Sequence, residues 1–175
     1  ELYNQKDENT GGWGAVLEYG DYRKELYGGE LNTTNNRMEM TALLEALNAL
    51  KKEGLVIEVF SDSSYLMNCF RQKWYENWQK NGWQTAAKKP VENKDLWEKL
   101  LVHLAHHKSF SFYRVKGHVN LNSKSTDFDK LYQKFLEWNG TNFSFEDFKY
   151  VTAMNNRADA LANAGIDEIL KESHK

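Results

Sequence analysis

The order of apolar patterning along the chain predicts an α/β fold, a mixed sheet with helices on both faces. Three observations predict it. Residues 55–60, Leu-Val-Ile-Glu-Val-Phe, are a short, partly β-branched apolar run that stops on Ser61 and Asp62, as a buried strand does. Residues 15–19 and 22–27 flank a Gly20-Asp21 pair, the signal of an antiparallel hairpin. Two further stretches carry Met40, Leu43, Leu44, Leu47 and Leu50, then Leu96, Trp97, Leu100, Leu101 and Leu104, each at the spacing of one helix face.

The bulk composition fits that reading. A chain of 175 residues with 41% hydrophobic and 27% charged residues can bury a real core, and a single domain over 1–175 is expected. The net charge of -2 does not announce a nucleic-acid partner, so any such partner needs a local basic patch. One cysteine, Cys69, excludes an internal disulfide framework and a Cys-rich zinc site, and fits a reducing, cytoplasmic setting. No run is apolar enough to span a membrane, no signal peptide is recognised, and a monomer is expected.

Taken in order, residues 1–10 are polar and read as a loop. Gly28 and Gly29 end the return strand of the hairpin. The short polar residues 32–36 suit a helix start, and Gly54 stops the helix that follows. Residues 63–70 read as a helix. In residues 73–89, Trp74, Trp78 and Trp83 alternate with Lys73, Lys80, Lys88 and Lys89. That is either a phosphate-tracking surface or an ordinary helix with its tryptophans in the core. Residues 93–107 are a core-facing helix, and 109–115 are a strand ending in the flexible corner Lys116-Gly117-His118. Residues 119–154 are a large excursion of two helices. Thr126 with Asp129 opens the first, Gly140 ends it, and Ser144 with Asp147 opens the second. A last helix runs from about 155 to 165, and the charged tail 166–175 is expected to fray.

Candidate chemistry sits at the ends of these elements. Asp62 follows the buried strand, at the carboxyl edge of the sheet where ligands bind; capping the next helix is its other reading. Glu39 lies at the edge of an apolar stripe, which costs free energy unless it is paired or binds a metal. The helix dipole is the plainer account. Asp159 stands among Ala158, Ala160, Leu161 and Ala162 on or beside a closely packed face. His118 at a strand end could move a proton. Three acids brought together repel and take up protons, and hard divalent cations relieve them because oxygen ligands suit Mg²⁺ and Mn²⁺. Two such ions roughly 4 Å apart activate a water and stabilise the leaving oxygen of a phosphodiester.

Seven ordered segments resemble type 1 ribonuclease H: 11–17 (Gly-Gly-Trp-Gly-Ala-Val-Leu), 28–30 (Gly-Gly-Glu), 34–39 (Thr-Asn-Asn-Arg-Met-Glu), 61–65 (Ser-Asp-Ser-Ser-Tyr), 80–83 (Lys-Asn-Gly-Trp), 115–118 (Val-Lys-Gly-His) and 156–162 (Asn-Arg-Ala-Asp-Ala-Leu-Ala). The resemblance implies a ribonuclease H-like mixed sheet and cleavage of the RNA strand of an RNA–DNA hybrid with two Mg²⁺ ions, Mn²⁺ being the alternative. It implies that Glu39, Asp62 and Asp159 are metal-site acids and that His118 is a mobile histidine assisting proton movement or product release. It further implies that Asn35 and Asn36 touch the hybrid's minor groove. Residues 73–90 correspond to the family's basic protrusion, where Trp74, Lys80, Trp83, Lys88 and Lys89 would meet the DNA strand. Hybrid recognition requires shape and 2′-OH contacts on one strand and phosphate contacts on the other.

The chain departs from the family pattern twice. The family's fourth acid, an aspartate in a Thr-Asp-Gly motif closing a first, central strand, has no counterpart. Glu1 falls near its place by counting, and Asp7 or Glu8 are the other substitutes. The natural chain is expected to carry about ten more residues upstream, the length of a strand; otherwise the chain is a weak nuclease or a hybrid-binding module without catalysis. The second departure is the helical insertion at 119–154, which could rim the cleft, form a dimer surface or pack against the body. An integrase- or resolvase-like DNA-processing core uses similar acids, but segments 34–39 and 80–83 argue against it.

Overall fold

In the computed structural model, residues 9–173 are described. Ten elements follow in the order β1 (Thr10–Tyr19), β2 (Tyr22–Leu31), α1 (Asn35–Asn48), β3 (Val56–Ser61), α2 (Ser64–Arg71), α3 (Trp74–Lys80), α4 (Lys94–His106), β4 (Ser109–Arg114), α5 (Phe128–Asn139) and α6 (Phe145–Ser173). Glu1, Asp7 and Glu8, the candidate substitute acids, lie outside the described residues. So does most of the expected N-terminal loop, of which Thr10 already belongs to β1.

Both strand orientations of a mixed sheet are present. β1 and β2 pair antiparallel around Gly20-Asp21, with Gly14 opposite Tyr27 and Tyr19 opposite Tyr22. Gly20 adopts a positive φ of 60°, which a tight hairpin turn requires. β3 and β4 pair parallel, with Val56 opposite Ser109 and Ser61 opposite Arg114. Among the described residues no ladder joins the two pairs.

The hairpin strands run through the glycines that were expected to end them. The reason is the close approach of α6. A Cβ on Gly12 would lie 1.9 Å from the Ala162 carbonyl oxygen, and one on Gly14 would lie 2.3 Å from that of Ala158. From the helix side, a Cβ on Gly165 would lie 1.9 Å from the Gly28 carbonyl oxygen. Glycines on the strands and small residues on the helix therefore form one seam, with backbone against backbone.

α6 also corrects the reading of the chain's end. The second helix of the insertion, the last helix and most of the supposed frayed tail are one 29-residue helix. Ser144 and Asp147 open it with a reciprocal capping box, Ser144 N–H to Asp147 Oδ2 at 3.1 Å and Asp147 N–H to Ser144 Oγ at 3.0 Å. Asn155 and Asn156, which resemble a helix start in sequence, point their amides at other elements instead of capping. For α5 the cap is Asp127, which accepts from Lys130 N–H, while Thr126 bonds the Asn120 carbonyl. α1 ends at Ala49, before Gly54; Gly54 then turns the chain at φ 73° toward β3.

The core has two parts, one on each face of the β3–β4 pair. Ile57, Val59, Phe110 and Phe112 pack against a cluster built from α1, α2 and α4, including Met40, Leu44, Leu66, Phe70, Trp97 and Leu100. Phe60 and Val115 face the other way, against Phe135 of α5 and Phe148 of α6. The insertion packs on the body of the fold. Asn139 at the end of α5 bonds both N–H and C=O of Arg114, each at 2.8 Å, and so covers the outer edge of β4. Arg71 ties the same corner to the Phe112 and Trp138 carbonyls and to Asn139.

The seam gives a sign test. On an open helix Gly→Ala stabilises by about 1 kcal/mol. At Gly165 the new methyl meets backbone, and such overpacking costs typically ~1–3 kcal/mol. Gly165→Ala is therefore expected to lower the urea midpoint; a raised midpoint would show that α6 can move off the hairpin.

Candidate active site

Asp62 leaves β3 directly, and Ser63 relieves it of capping. The Ser63 hydroxyl accepts from Leu66 N–H at 3.2 Å and starts α2. Asp62 Oδ2 instead accepts from Asn155 Nδ2 of α6 at 3.2 Å. Gly117 also stands close by, where a Cβ would lie 2.5 Å from that same oxygen. A residue with a side chain at position 117 would thus displace the carboxylate.

Glu39 sits at the second turn of α1 and turns inward from it. Burial pushes its carboxyl up to about 8. A hydrogen bond with Asp62, the Asp62 charge and the Asp159 charge push in the same direction. Asp159 is held above the usual carboxylate range by burial and then by Asp62, against an opposing pull from His118. Its Oδ2 is buried without a hydrogen-bond partner, and His118 Nδ1 stands 3.7 Å from it. α1, the end of β3 and α6 thus deliver Glu39, Asp62 and Asp159 to one place.

Burial and the neighbouring acids both favour the protonated form of Glu39. Among the described residues no group of three or more carboxylate, imidazole or thiol side chains already stands in metal-binding geometry. The donor set nonetheless suits a hard divalent cation: every donor is oxygen, one is an unpartnered buried carboxylate oxygen, and all are anionic once Glu39 ionises.

His118 is 85% exposed and takes a left-handed backbone, φ 57°, just beyond Gly117. The next residue, Val119, is buried, and its carbonyl accepts from Asn156 Nδ2 at 2.8 Å. Asn35 and Asn36 are exposed in the first turn of α1, after the Thr34 cap, one turn before Glu39. Arg37, between them and Glu39, forks onto Asp95 of α4 at 3.1 and 2.8 Å and ties α1 in place.

In the segment after α2 the tryptophans and lysines separate. Trp74, Trp78 and Trp83 pack against the core, whereas Lys80, Lys88 and Lys89 are exposed. A tight loop sets the last two: Thr85 N–H bonds Lys89 O at 2.7 Å, and Val91 N–H bonds Trp83 O at 3.0 Å. Trp74 and Trp83, which the resemblance puts on the nucleic-acid surface, are half-buried, with part of each indole on the apolar core and part exposed.

Asn155 was not singled out from the sequence. A signal was available: it lies four residues before Asp159 on the same helix and so shares its face.

A family model described as RNase H matches residues 3–137. The ribonuclease H of Chlorobium luteolum is 55% identical over 108 residues, 62% of this chain and 73% of that protein. That of Moorella thermoacetica is 51% identical over 121 residues, 69% and 78% of the two chains. That of Clostridium botulinum strain Hall is 46% identical over 134 residues, 77% and 88%. Among solved structures, the PFV RNase H domain is similar with a TM-score of 0.59 at 24% identity, over 94% of this chain and 87% of that one. The ribonuclease H1 of Halobacterium salinarum gives 0.52 at 21%, over 93% and 89%. At such identities the two structures show the fold alone. The family match takes in Glu39, Asp62 and His118 but stops before α6, where Asp159 rests on its own motif at 156–162 and on the geometry.

The acid cluster makes stability pH-dependent in a defined direction. Glu39 binds its proton more tightly folded than unfolded, so between pH 4.5 and about 8 the folded chain holds the extra proton and stability falls as pH rises. Each tenfold gain in proton affinity is worth about 1.4 kcal/mol. In chelator, the urea midpoint should therefore drop between pH 5 and pH 8, and Glu39→Gln should flatten that drop. A midpoint that rises over this interval in the unsubstituted chain contradicts the burial of Glu39.

Proposed function

The chain belongs to the ribonuclease H family, the endonucleases that hydrolyse the RNA strand of RNA–DNA hybrids, and from that premise we propose that Glu39, Asp62 and Asp159 form its catalytic site. The observation that carries this reading is their convergence: Asn155 of α6 bonds Asp62 at 3.2 Å, and Asp159, one turn further along the same helix, turns a buried, unpartnered Oδ2 into the same place, where Glu39 also lies. We assign two Mg²⁺ ions to these side chains, with Mn²⁺ as a substitute, because the donors are all carboxylate oxygens. When bound, such ions activate a water and stabilise the leaving oxygen of the scissile phosphodiester.

The chain's own residues do the rest. Glu39 must be ionised to serve as a ligand, and a cation beside it favours that form over the proton. Asp62, held from the Asn155 side, keeps a fixed direction. His118 stands between Asp159 and solvent on an exposed corner, where Nδ1 can take up or deliver a proton. Asn35 and Asn36 offer amides to the 2′-OH groups and base edges of the hybrid's minor groove, from the same helix that carries Glu39. Lys80, Lys88 and Lys89 project from the loop beyond α3, and we assign them to the phosphates of the DNA strand. Trp74 and Trp83 hold that segment's shape from beneath. The net charge of -2 is no obstacle, since the cations are gathered where the substrate lies.

Offered a hybrid, double-stranded RNA and DNA side by side with Mg²⁺, the chain should cut the RNA of the hybrid and stop when a chelator is added. Asp62→Asn should lose more than about 100-fold in kcat/KM with an unchanged circular-dichroism spectrum, exceeding what removal of a supporting side chain costs. Cleavage that survives Asp62→Asn places the site elsewhere. The triple substitution Lys80→Ala, Lys88→Ala and Lys89→Ala should weaken hybrid binding and reduce the slope of log K against log salt. That reduction is about 0.7–0.9 for each phosphate that a lysine no longer neutralises. A slope that does not change removes these lysines from the interface.

A further inference from the structure

Two neighbouring asparagines leave α6 in different directions and end on different parts of the site. Asn155 Nδ2 donates to Asp62 Oδ2 at 3.2 Å, and Asn156 Nδ2 donates to the Val119 carbonyl at 2.8 Å, one residue beyond His118. Consecutive positions on a helix lie about 100° apart, so one turn can reach both the end of β3 and the loop after β4. Both side chains are half-buried, and both bonds span distant parts of the chain.

The chemistry of the bond to Asp62 matters. An amide donor orients a carboxylate without neutralising it. A lysine or arginine in that place would compete with a cation for the same charge; an asparagine does not. Gly117 also stands close to Oδ2, where a Cβ would come within 2.5 Å of it, so a side chain there would crowd the oxygen that Asn155 holds. Carboxylates that ligate metals are in general held by such partners, and removing one costs about 10–100-fold in metal affinity or activity.

We propose that Asn155 is a positioning residue that orients Asp62 for the divalent cation, and that Asn156 fixes the base of the His118 loop from the same turn of α6. This rests on the assignment of Asp62 to the metal site. It makes α6 the common reference for the three parts that must stay in register: Asp159 on the helix itself, Asp62 through Asn155, and the His118 corner through Asn156.

The test titrates Mn²⁺ into the full chain without hybrid, by calorimetry, alongside steady-state cleavage. Asn155→Ala should bind Mn²⁺ at least about 10-fold more weakly and lose a similar factor in kcat at fixed sub-saturating Mn²⁺, with KM for the hybrid within about twofold. Alanine favours a helix interior, so loss of fold is not the expected outcome. Asn155→Asp keeps the shape, but when ionised it cannot donate and adds a fourth negative charge. It should lose kcat at least as severely as alanine does, whereas a residue needed only for packing would tolerate it. Asn156→Ala should lower kcat while leaving Mn²⁺ affinity within about twofold of the unsubstituted chain. Unchanged Mn²⁺ affinity in Asn155→Ala overturns the role of Asn155, and unchanged kcat in Asn156→Ala overturns that of Asn156. Asp62→Asn separates the two levels. If it abolishes cleavage while Asn155→Ala changes nothing, only the positioning role falls. If Asp62→Asn itself cleaves normally, the site assignment falls first.

Discussion

The structure depends on how closely α6 can approach the β1–β2 hairpin. Helix and strand backbones normally stand apart by the thickness of their side chains. Here Gly12, Gly14 and Gly28 on the strands face Ala158, Ala162 and Gly165 on the helix, and the separation shrinks to backbone contact. That seam fixes both the depth and the rotation of a 29-residue helix. Because α6 carries Asp159, Asn155 and Asn156, the same seam sets where the acidic site and its supports lie.

A site built this way stores an electrostatic conflict. Three carboxylates from three elements are held near one another by packing, and burial and repulsion together favour the protonated form of Glu39. In the proposed site a divalent cation would relieve that repulsion and displace a proton as it binds. A neutral amide, that of Asn155, and Gly117 stand beside Asp62, and neither neutralises its charge. Anions held together by neutral supports attract a cation locally, and this needs no net charge on the molecule as a whole.

The insertion between β4 and α6 adds a second small core without disturbing that arrangement. Phe135, Phe143 and Phe148 cover the face of the β3–β4 pair that α1, α2 and α4 leave open. Asn139 imitates a neighbouring strand for Arg114 and covers an edge that would otherwise present free backbone groups. The insertion also extends α6 toward its N-terminus. A rigid rod then connects the added core to the acidic site, and Asn155 and Asn156 sit along it between the two.

The sequence alone determined much of the chemistry. Strand, hairpin and helix signals are local. The run ending in Asp62, the Gly20-Asp21 turn, the stripe behind Glu39 and the Ser144–Asp147 box are therefore legible within a few residues of themselves. Only the tertiary structure decided what distant residues do to each other. Gly28 and Gly29 read as strand ends until α6 is seen lying on the hairpin, and Asn155 and Asn156 read as a helix start until their amides are seen bonded elsewhere. Trp74 and Trp83 are consistent in sequence with either a nucleic-acid surface or a core, and only the fold shows the core beneath them. Asn155 and Asp62 are 93 positions apart. A contact over that span leaves no periodicity to read, because it is created by the close packing of two backbones and not by any pattern in either segment.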